Sequence, residues 1–160
     1  MISVLFVCMG NICRSPTGEG VFQHFVAAGG YAELIQVDSA GTIAHHVGER
    51  ADARMRAAAQ RRGYELHSIA RQVQSQDLEI FDLVLAMDHD NLHELERVRG
   101  PSPHIRLLGS FLDEWKGIEE VPAVPDPYYG GERGFEEVLD MIEAACPAIL
   151  RHCLDLSAKQ

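Results

Sequence analysis

The stretch ISVLFVCMGNICRSP, residues 2–16, runs from an apolar segment through a short polar loop to the start of a helix. The apolar run Ile2–Val7 is typical of a strand that is covered on both faces. Apolar residues at helical spacing follow the loop and predict a helix over Pro16–Ala28. A strand, loop and helix in this order form the first part of a βαβ unit, which predicts a parallel sheet.

The loop between this strand and this helix has the features of an anion-binding site. Gly10 and Asn11 tolerate backbone angles that most residues avoid, so the chain can turn tightly there. Ser15 is a good N-cap, and Pro16 suits the first helical position. The main-chain N–H groups of Met9–Arg14 can therefore converge on one point, where a phosphate group would bind.

Cys8 lies at the floor of this predicted loop, just past the carboxyl end of the first strand. The planar guanidinium of Arg14 matches two oxygens of a phosphate group. We expect a cysteine among such positive groups to be a thiolate at neutral pH. A thiolate beneath a bound phosphate is placed for in-line attack on phosphorus, so Cys8 is the candidate nucleophile.

Strands and helices alternate along the rest of the chain. The pattern predicts further strands at Leu34–Ser39, Phe81–Met87 and Ile105–Leu108, and loops at Gly41–Glu49 and Glu119–Gly131. It predicts further helices at Ala51–Arg62, from the N-cap Asp88 to Arg99, and at Phe135–Leu154 with a kink near Ala145 ahead of Pro147. We expect a small doubly wound α/β fold, flavodoxin-like or Rossmann-like, with a four-stranded parallel sheet, helices on both faces and a single domain over residues 1–160.

Composition excludes several classes of protein. The chain has 160 residues and a formal net charge of -10, which argues against nucleic acid as a partner. The sequence holds no apolar segment of the length that spans a bilayer, and Ile2–Val7 is too short for the apolar part of a signal sequence, so we expect no membrane partner. We therefore expect a cytoplasmic protein whose four cysteines are thiols.

A proline-rich loop supplies a candidate general acid. Asp126 lies between Pro125 and Pro127, which stiffen the loop, and Tyr128 and Tyr129 follow. Phosphoryl transfer to a thiolate needs a proton donor for the leaving oxygen, and Asp126 can supply that proton. The two tyrosines offer aromatic walls for a flat substrate group. The alternative interpretation is an ordinary Asp-Pro turn whose tyrosines cover the core.

Taken together, these segments resemble the low-molecular-weight protein tyrosine phosphatases. Val7–Pro16 is similar to the phosphate loop of that family, Cys-x5-Arg-Ser, and residues 126–129 are similar to its general-acid loop. Asp38–Thr42, Ala70–Gln72 and Met87–Asp88 also resemble segments of the family. The resemblance covers essentially the whole chain.

The resemblance implies a role for each matched position. Cys8 would form a phosphocysteine, Arg14 would bind the phosphate and stabilise the transition state, and Asp126 would protonate the leaving phenolate and then activate water. Asn11, Ser15 and Ser39 would form a hydrogen-bond network that holds the loop in shape. The positions that bind phosphate or substrate would be Met9, Gly10, Asn11, Ile12, Cys13, Ser15, His45, Tyr128 and Tyr129, with Ser39 and Asp88 in support. No metal ion and no cofactor is expected.

Two departures from the family pattern stand out. His45-His46 occupies a place on the pocket rim where many members carry a tryptophan, which leaves substrate preference open. Gly18 lies in the first predicted helix where alanine is frequent. We expect it to weaken that helix by ~1 kcal/mol relative to alanine.

The cysteines and the reaction class allow alternatives. Cys13 either traps an oxidised Cys8 as a disulfide, which is our prediction, or merely packs below the loop. Cys146 and Cys153 are expected in the core, because about 10.5 Å of helix separates them, too far for a disulfide.

A thiol-dependent arsenate reductase of the same fold is the alternative enzyme, but the middle of the chain lacks the cysteine pair that would relay electrons. A third possible function is that of a module that binds phosphotyrosine without hydrolysing it.

The expected partner is a protein that contains phosphotyrosine, and a tyrosine kinase is one candidate. The sequence does not identify the physiological substrate. It does not set the oligomeric state either, although a monomer is our expectation.

Overall fold

The computed structural model describes residues 1–112 and 120–160, and in these two ranges strands and helices alternate. The strands are β1 (Ile2–Cys8), β2 (Ile35–Gly41), β3 (Leu83–Ala86) and β4 (Ile105–Leu107). The helices are α1 (Arg14–Ala28), α2 (Ala53–Arg61), α3 (Asp77–Ile80), α4 (His89–Arg99) and α5 (Glu132–Ala158), and a 3₁₀ turn spans Leu108–Phe111.

The strands form a parallel sheet in the order β2-β1-β3-β4, as predicted. From β1 the chain passes through α1 to β2 on one side, and it later returns to pair β3 with the other side of β1. Ligands of such sheets bind beyond the carboxyl ends of the strands, at the point where the strand order reverses. Cys8 ends β1 and Asp88 follows β3, so both residues lie at this point.

Side chains of β1 alternate between two apolar cores, one on each face of the sheet. Val4, Phe6 and Cys8 belong to the core that α1, α2 and α5 cover. Leu5 and Val7 belong to the other core, to which α3 and α4 contribute. The prediction of helices on both faces is therefore confirmed, and the largely apolar pattern of β1, in which Ser3 is the polar residue, follows from its position between the two cores.

The first helix begins earlier than the sequence predicted. Ser15 is not the N-cap: Cys13 occupies that position, and no side chain caps the helix. The Ser15 hydroxyl instead lies 3.0 Å from Sγ of Cys8. Pro16 becomes the third helical residue, which is tolerated because the N–H groups of the first turn have no partner within the helix. The prediction failed because the hydroxyl hydrogen-bonds to the preceding loop rather than to the helix.

Other boundaries lie within four residues of the predicted ones. Asp88 caps α4 as predicted, since its Oδ1 accepts the N–H of Asn91 at 2.7 Å, and Gly100 ends the helix with a φ of 93°. Residues 120–131 contain neither helix nor strand, whereas Glu119, the start of that predicted loop, lies outside the described residues. Pro147 lies inside α5, and the kink stays a prediction. The sequence did not predict α3 or the 3₁₀ turn.

Gly18 allows α1 to pack directly on β1. A Cβ atom at Gly18 would lie 2.5 Å from Cδ1 of Phe6 and 3.1 Å from Cε of Met87. Both neighbours are fully buried, so neither can move without disturbing the core. The residue that we expected to weaken the helix is therefore needed where the helix packs against the sheet.

We predict that Gly18→Ala lowers the free energy of unfolding by about 1–3 kcal/mol, because overpacking against Phe6 outweighs the gain in helix propensity. Gly134→Ala in α5 is the control, since the atom nearest to its Cβ would be Cβ of Pro127, at an ordinary contact distance of 3.4 Å. Urea denaturation of both variants measures the difference. A Gly18→Ala protein as stable as the unsubstituted one would contradict the packing argument.

Candidate active site

A cavity of about 230 Å³ opens at the carboxyl edge of the sheet. Its walls come from the loop after β1, the segment after β2 and the segment before α5. Predicted site residues in the lining are Cys8, Met9, Gly10, Ile12, Cys13, Arg14, His45, Asp126, Tyr128 and Tyr129. His46 also lines it, on the rim where the resemblance put His45-His46, and so does Ile43, which the sequence did not point to. The structure thus brings together residues that are more than 110 positions apart in the chain.

Asn11 and Ser15 lie behind the loop rather than in the cavity. Asn11 has a φ of 58°, in the left-handed region that few residues other than glycine adopt. Its side-chain Nδ2 donates to Oγ of Ser15 at 2.8 Å and to Oγ of Ser39 at 3.0 Å. These are the members of the predicted network, and their hydrogen bonds hold Asn11 in the conformation that curves the loop.

Cys8 is 3% exposed and lies at the base of the cavity. Its Sγ accepts the main-chain N–H of Asn11 at 3.3 Å, and the Ser15 hydroxyl lies 3.0 Å from the same sulfur. Gly41, next to Cys8 in the sheet, lets the loop approach closely. A Cβ atom there would lie 2.7 Å from the main-chain oxygen of Met9. Strand pairing and loop curvature together fix the sulfur.

Arg14 is a buried cation with partners in two other segments. Its Nη1 donates to Oδ2 of Asp88 at 2.5 Å and to the main-chain oxygen of Val124 at 3.0 Å. Burial opposes the charge of Arg14, but the negative charges of Cys8 and Asp88 outweigh burial and raise the pKa of the guanidinium. The structure therefore holds a fixed positive charge beside the sulfur.

Asp126 lies at the mouth of the cavity. Its Oδ2 is 3.6 Å from Nη2 of Arg14, and its Oδ1 accepts the main-chain N–H of Tyr128 at 3.0 Å. The segment that carries Asp126 is attached to the sheet, because Val124 donates its N–H to the main-chain oxygen of Met87 at 2.8 Å. About one-third of the Asp126 side chain is exposed, so its carboxyl can exchange protons with water and reach a bound ligand.

Aromatic and imidazole rings form the rim. The rings of Tyr128 and Tyr129 are perpendicular, with centroids 4.9 Å apart, and the rings of His45 and His46 are perpendicular at 4.8 Å. The His46 ring lies 6.1 Å from that of Tyr128, and its Nδ1 is 2.5 Å from Oε2 of Glu49. His46 therefore connects the segment after β2 with the segment that carries Asp126.

The remaining cysteines lie in two different environments. Cys13 is buried but lines the cavity, and burial together with the negative charge of Asp52 raises the pKa of its thiol. Cys146 and Cys153 are fully buried in α5, as predicted for core residues. Burial raises the pKa of Cys153 to about 12, so this thiol stays protonated at neutral pH.

Sequence reasoning assigned no role to Glu19 and Arg71. Oε1 of Glu19 accepts the hydroxyl of Ser39 at 2.7 Å, and the main-chain N–H of Arg71 donates to Oδ1 of Asn11 at 3.0 Å. The spacing of four residues between Ser15 and Glu19 was an available signal, because it places both on one face of α1. The contact of Arg71 joins distant segments, so no local pattern could have revealed it.

Two kinds of feature are absent from residues 1–112 and 120–160. In these ranges no three His, Cys, Asp or Glu side chains are grouped so that they could hold a metal ion. None of the helices described combines the length and the apolar character that crossing a bilayer requires.

The arrangement can bind a tetrahedral anion and act on it from two sides. A sulfur faces the cavity from its base, a guanidinium supplies positive charge beside the sulfur, and a carboxyl lies near the opening. The N–H groups at the start of α1 have no side-chain cap, so they remain available to an anion. These groups suit nucleophilic attack on a phosphate ester with protonation of the leaving group.

Comparison with known proteins agrees with this chemistry. Residues 3–159 match the family model for low molecular weight phosphotyrosine protein phosphatase. The chain is 45% identical over 150 residues to a low molecular weight protein-tyrosine-phosphatase of Streptomyces coelicolor, with 92% of this chain and 90% of the relative covered. It is 40% identical over 152 residues to the low molecular weight phosphotyrosine protein phosphatase of Homo sapiens, with 92% and 93% covered.

A solved structure extends the similarity to three dimensions. The crystal structure of a protein tyrosine phosphatase from Entamoeba histolytica superposes with a TM-score of 0.89 at 40% sequence identity, and the match covers 98% of this chain and 99% of that one. Sequence and fold therefore match over nearly their full length, and the chain belongs to the low molecular weight phosphotyrosine protein phosphatase family.

Proposed function

We propose that this chain, acting as one domain over residues 1–160, hydrolyses phosphotyrosine in proteins through a phosphocysteine on Cys8. Family membership gives the reaction class, hydrolysis of a phosphate monoester. The observation that carries the residue assignment is the convergence of Cys8, Arg14 and Asp126 on one cavity. The Entamoeba histolytica structure contains Hepes, a sulfonate buffer, in its active site, which supports binding of a tetrahedral anion in the corresponding cavity here.

In the first step, the thiolate of Cys8 attacks phosphorus in line with the phenolate oxygen of the substrate. The S–P bond forms as the P–O bond breaks, and Asp126 transfers its proton to the leaving oxygen. Main-chain N–H groups of the loop after β1 and the guanidinium of Arg14 bind the equatorial oxygens, on which negative charge spreads in the transition state.

In the second step, water hydrolyses the phosphocysteine. Asp126, now ionised, accepts a proton from the water molecule as its oxygen attacks phosphorus, and the S–P bond breaks. The hydroxyl of Ser15, 3.0 Å from Sγ of Cys8, stabilises the departing thiolate. Main-chain amides and Arg14 supply the charge stabilisation, so the mechanism assigns no step to a metal ion or cofactor.

The depth of the cavity favours aryl phosphates. Cys8 is buried at the base, while Tyr128 and Tyr129 form part of the rim. We infer that the longer aryl stem of phosphotyrosine carries its phosphate to the sulfur, and that the shorter stem of phosphoserine does not. We therefore propose phosphotyrosine proteins as substrates, with a tyrosine kinase as a candidate partner, and a monomer in the cytoplasm as the working form.

We predict that Cys8→Ser lowers kcat for p-nitrophenyl phosphate by several orders of magnitude, because a hydroxyl is a far weaker nucleophile than a thiolate. Isothermal calorimetry should still detect binding of inorganic phosphate, since the N–H groups of the loop remain. Cys153→Ala, which removes a thiol outside the cavity, is the control and should keep its activity. Near-normal turnover by Cys8→Ser would show that Cys8 is not the nucleophile.

We predict that Asp126→Asn slows phenyl phosphate by roughly 10²–10⁴-fold, because its poor leaving group needs a proton. The effect on dinitrophenyl phosphate should be much smaller, since dinitrophenolate leaves without protonation. Asparagine keeps an Oδ1 that can accept the N–H of Tyr128, so the loop geometry should be retained. Steady-state rates with both esters test this, and equal losses would remove Asp126 from the role of acid.

We also propose that Cys13 protects Cys8 from irreversible oxidation. Hydrogen peroxide oxidises the Cys8 thiolate to a sulfenic acid and is itself reduced to water. The Cys13 thiolate then attacks the Cys8 sulfur, an S–S bond forms and hydroxide leaves. The position of both cysteines in the lining of one cavity supports this step.

The pKa of Cys13 gives this second step a pH dependence. Burial and Asp52 raise that pKa, so in the neutral range only a small thiolate fraction exists, and it grows about ten-fold per pH unit. We predict that sulfenic acid converts to the Cys8–Cys13 disulfide faster as pH rises, as measured by mass spectrometry after a peroxide pulse. The Cys13→Ala control should accumulate sulfinic acid instead. A conversion rate that does not change with pH would contradict this assignment.

A further inference from the structure

Asn11 hydrogen-bonds to groups from three other parts of the chain. Its Nδ2 donates to Ser15 and Ser39, and its Oδ1 accepts the main-chain N–H of Arg71. Asn11, Ser15 and Ser39 are each at most 2% exposed. Because water has so little access, the protein itself must provide partners for these polar groups.

The N–H of Arg71 fixes the orientation of the Asn11 amide. If the amide were flipped, its NH₂ group would face the N–H of Arg71, and two donors would oppose each other. The NH₂ group therefore faces Ser15 and Ser39, and both hydroxyl oxygens act as acceptors toward Asn11. A hydroxyl has a single proton, so each serine must donate that proton to another group.

The two serines differ in the acceptors available to them. Ser15 has both Sγ of Cys8 at 3.0 Å and the main-chain oxygen of Ala40 at 3.3 Å. For Ser39, the acceptor that the described residues provide is Oε1 of Glu19, at 2.7 Å. Hydrogen bonds thus run in one direction, from the Asn11 amide through the Ser39 hydroxyl to the Glu19 carboxylate.

Glu19 is partly buried among charged side chains. Burial raises the pKa of its carboxyl, the negative charge of Asp38 adds to this effect, and the Ser39 hydrogen bond and Arg71 offset it in part. Arg71 itself pairs with Asp38 at 3.0 Å and with Asp77 at 2.9 Å. Glu19 does not line the cavity, so it contacts the substrate at no stage of the proposed reaction.

We propose that Glu19 is a positioning residue of the phosphatase reaction, because it accepts the proton of Ser39 and so makes Ser39 an acceptor for Asn11. With its amide held, Asn11 keeps its left-handed backbone and directs its main-chain N–H to Sγ of Cys8 at 3.3 Å. This inference rests on the function proposed above. The Glu19 carboxylate, which lies two hydrogen bonds away from Asn11, thus helps to fix the position of the Cys8 sulfur.

Two substitutions at Glu19 keep the length of the side chain but differ in whether an oxygen that can accept the Ser39 proton remains. Glu19→Gln keeps a carbonyl oxygen for Ser39, so kcat/KM for p-nitrophenyl phosphate should stay within about two-fold of the unsubstituted chain. Glu19→Met keeps the length but removes the acceptor, and the buried donor left unpaired should lower kcat/KM about ten-fold. Glu33→Met, at an exposed position outside the cavity lining, is the matched control and should have no effect.

Coupling with Ser39 distinguishes positioning from simple packing. In a Ser39→Ala background the donor is absent, so adding Glu19→Met should change kcat/KM by less than about two-fold. A side chain that only fills space would cause the same loss in both backgrounds. Thermal melting verifies that each variant is folded.

Several results would overturn the proposal. Glu19→Met with unchanged activity, or with equal losses in both backgrounds, would do so. A ten-fold loss in Glu19→Gln would also overturn it, even if the Met variant failed to fold, because the glutamine retains the acceptor. An unsubstituted chain that hydrolyses no aryl phosphate would instead refute the proposed function.

Discussion

The ion pair between Arg14 and Asp88 is the constraint on which the rest of the site depends. A buried guanidinium is costly unless its charge is paired and its N–H groups are satisfied. Asp88 at the start of α4 and the main-chain oxygen of Val124 meet both needs. The start of α1, the end of β3 and the segment that carries Asp126 are thereby held together around one cation.

Local charge at the site opposes the charge of the whole protein. The formal net charge is -10, yet the cavity is built to hold an anion. Arg14 and the uncapped N–H groups of α1 provide positive potential over a few ångströms, where the more distant carboxylates are screened by solvent and salt. Binding of a phosphate ester therefore depends on short-range geometry rather than on attraction from a distance.

Sequence patterns predicted the sheet, its order of elements and the loop after β1, because these follow from apolar runs and from turn residues that act locally. Ser15 was assigned to the wrong partner, since N-cap preference describes an isolated helix end and the nearby sulfur and Asn11 compete for the hydroxyl. Gly18 was judged by helix propensity alone, whereas contact with Phe6 decides its effect. Glu19, in α1, was overlooked because its partner Ser39 lies in β2, twenty residues further along the chain.

The role of Asp126 was predicted more from the resemblance to the phosphatase family than from the local sequence pattern. Taken by itself, an aspartate between two prolines is an ordinary turn, and nothing nearby in the sequence links it to Cys8. The fold supplies that link through Val124, which joins the segment to Met87, directly after β3, and to Arg14. A role that depends on a contact across the sheet cannot be derived from the spacing of residues along one segment.

Asp88 divides its two carboxylate oxygens between separate tasks. Oδ1 accepts the N–H of Asn91 and caps α4, while Oδ2 accepts Nη1 of Arg14. Asparagine has the shape to cap the helix but lacks the charge that a buried guanidinium requires, and glutamate has the charge but a longer stem that suits an N-cap poorly. Position 88 should therefore tolerate very little drift during evolution, since no other side chain meets both demands at once.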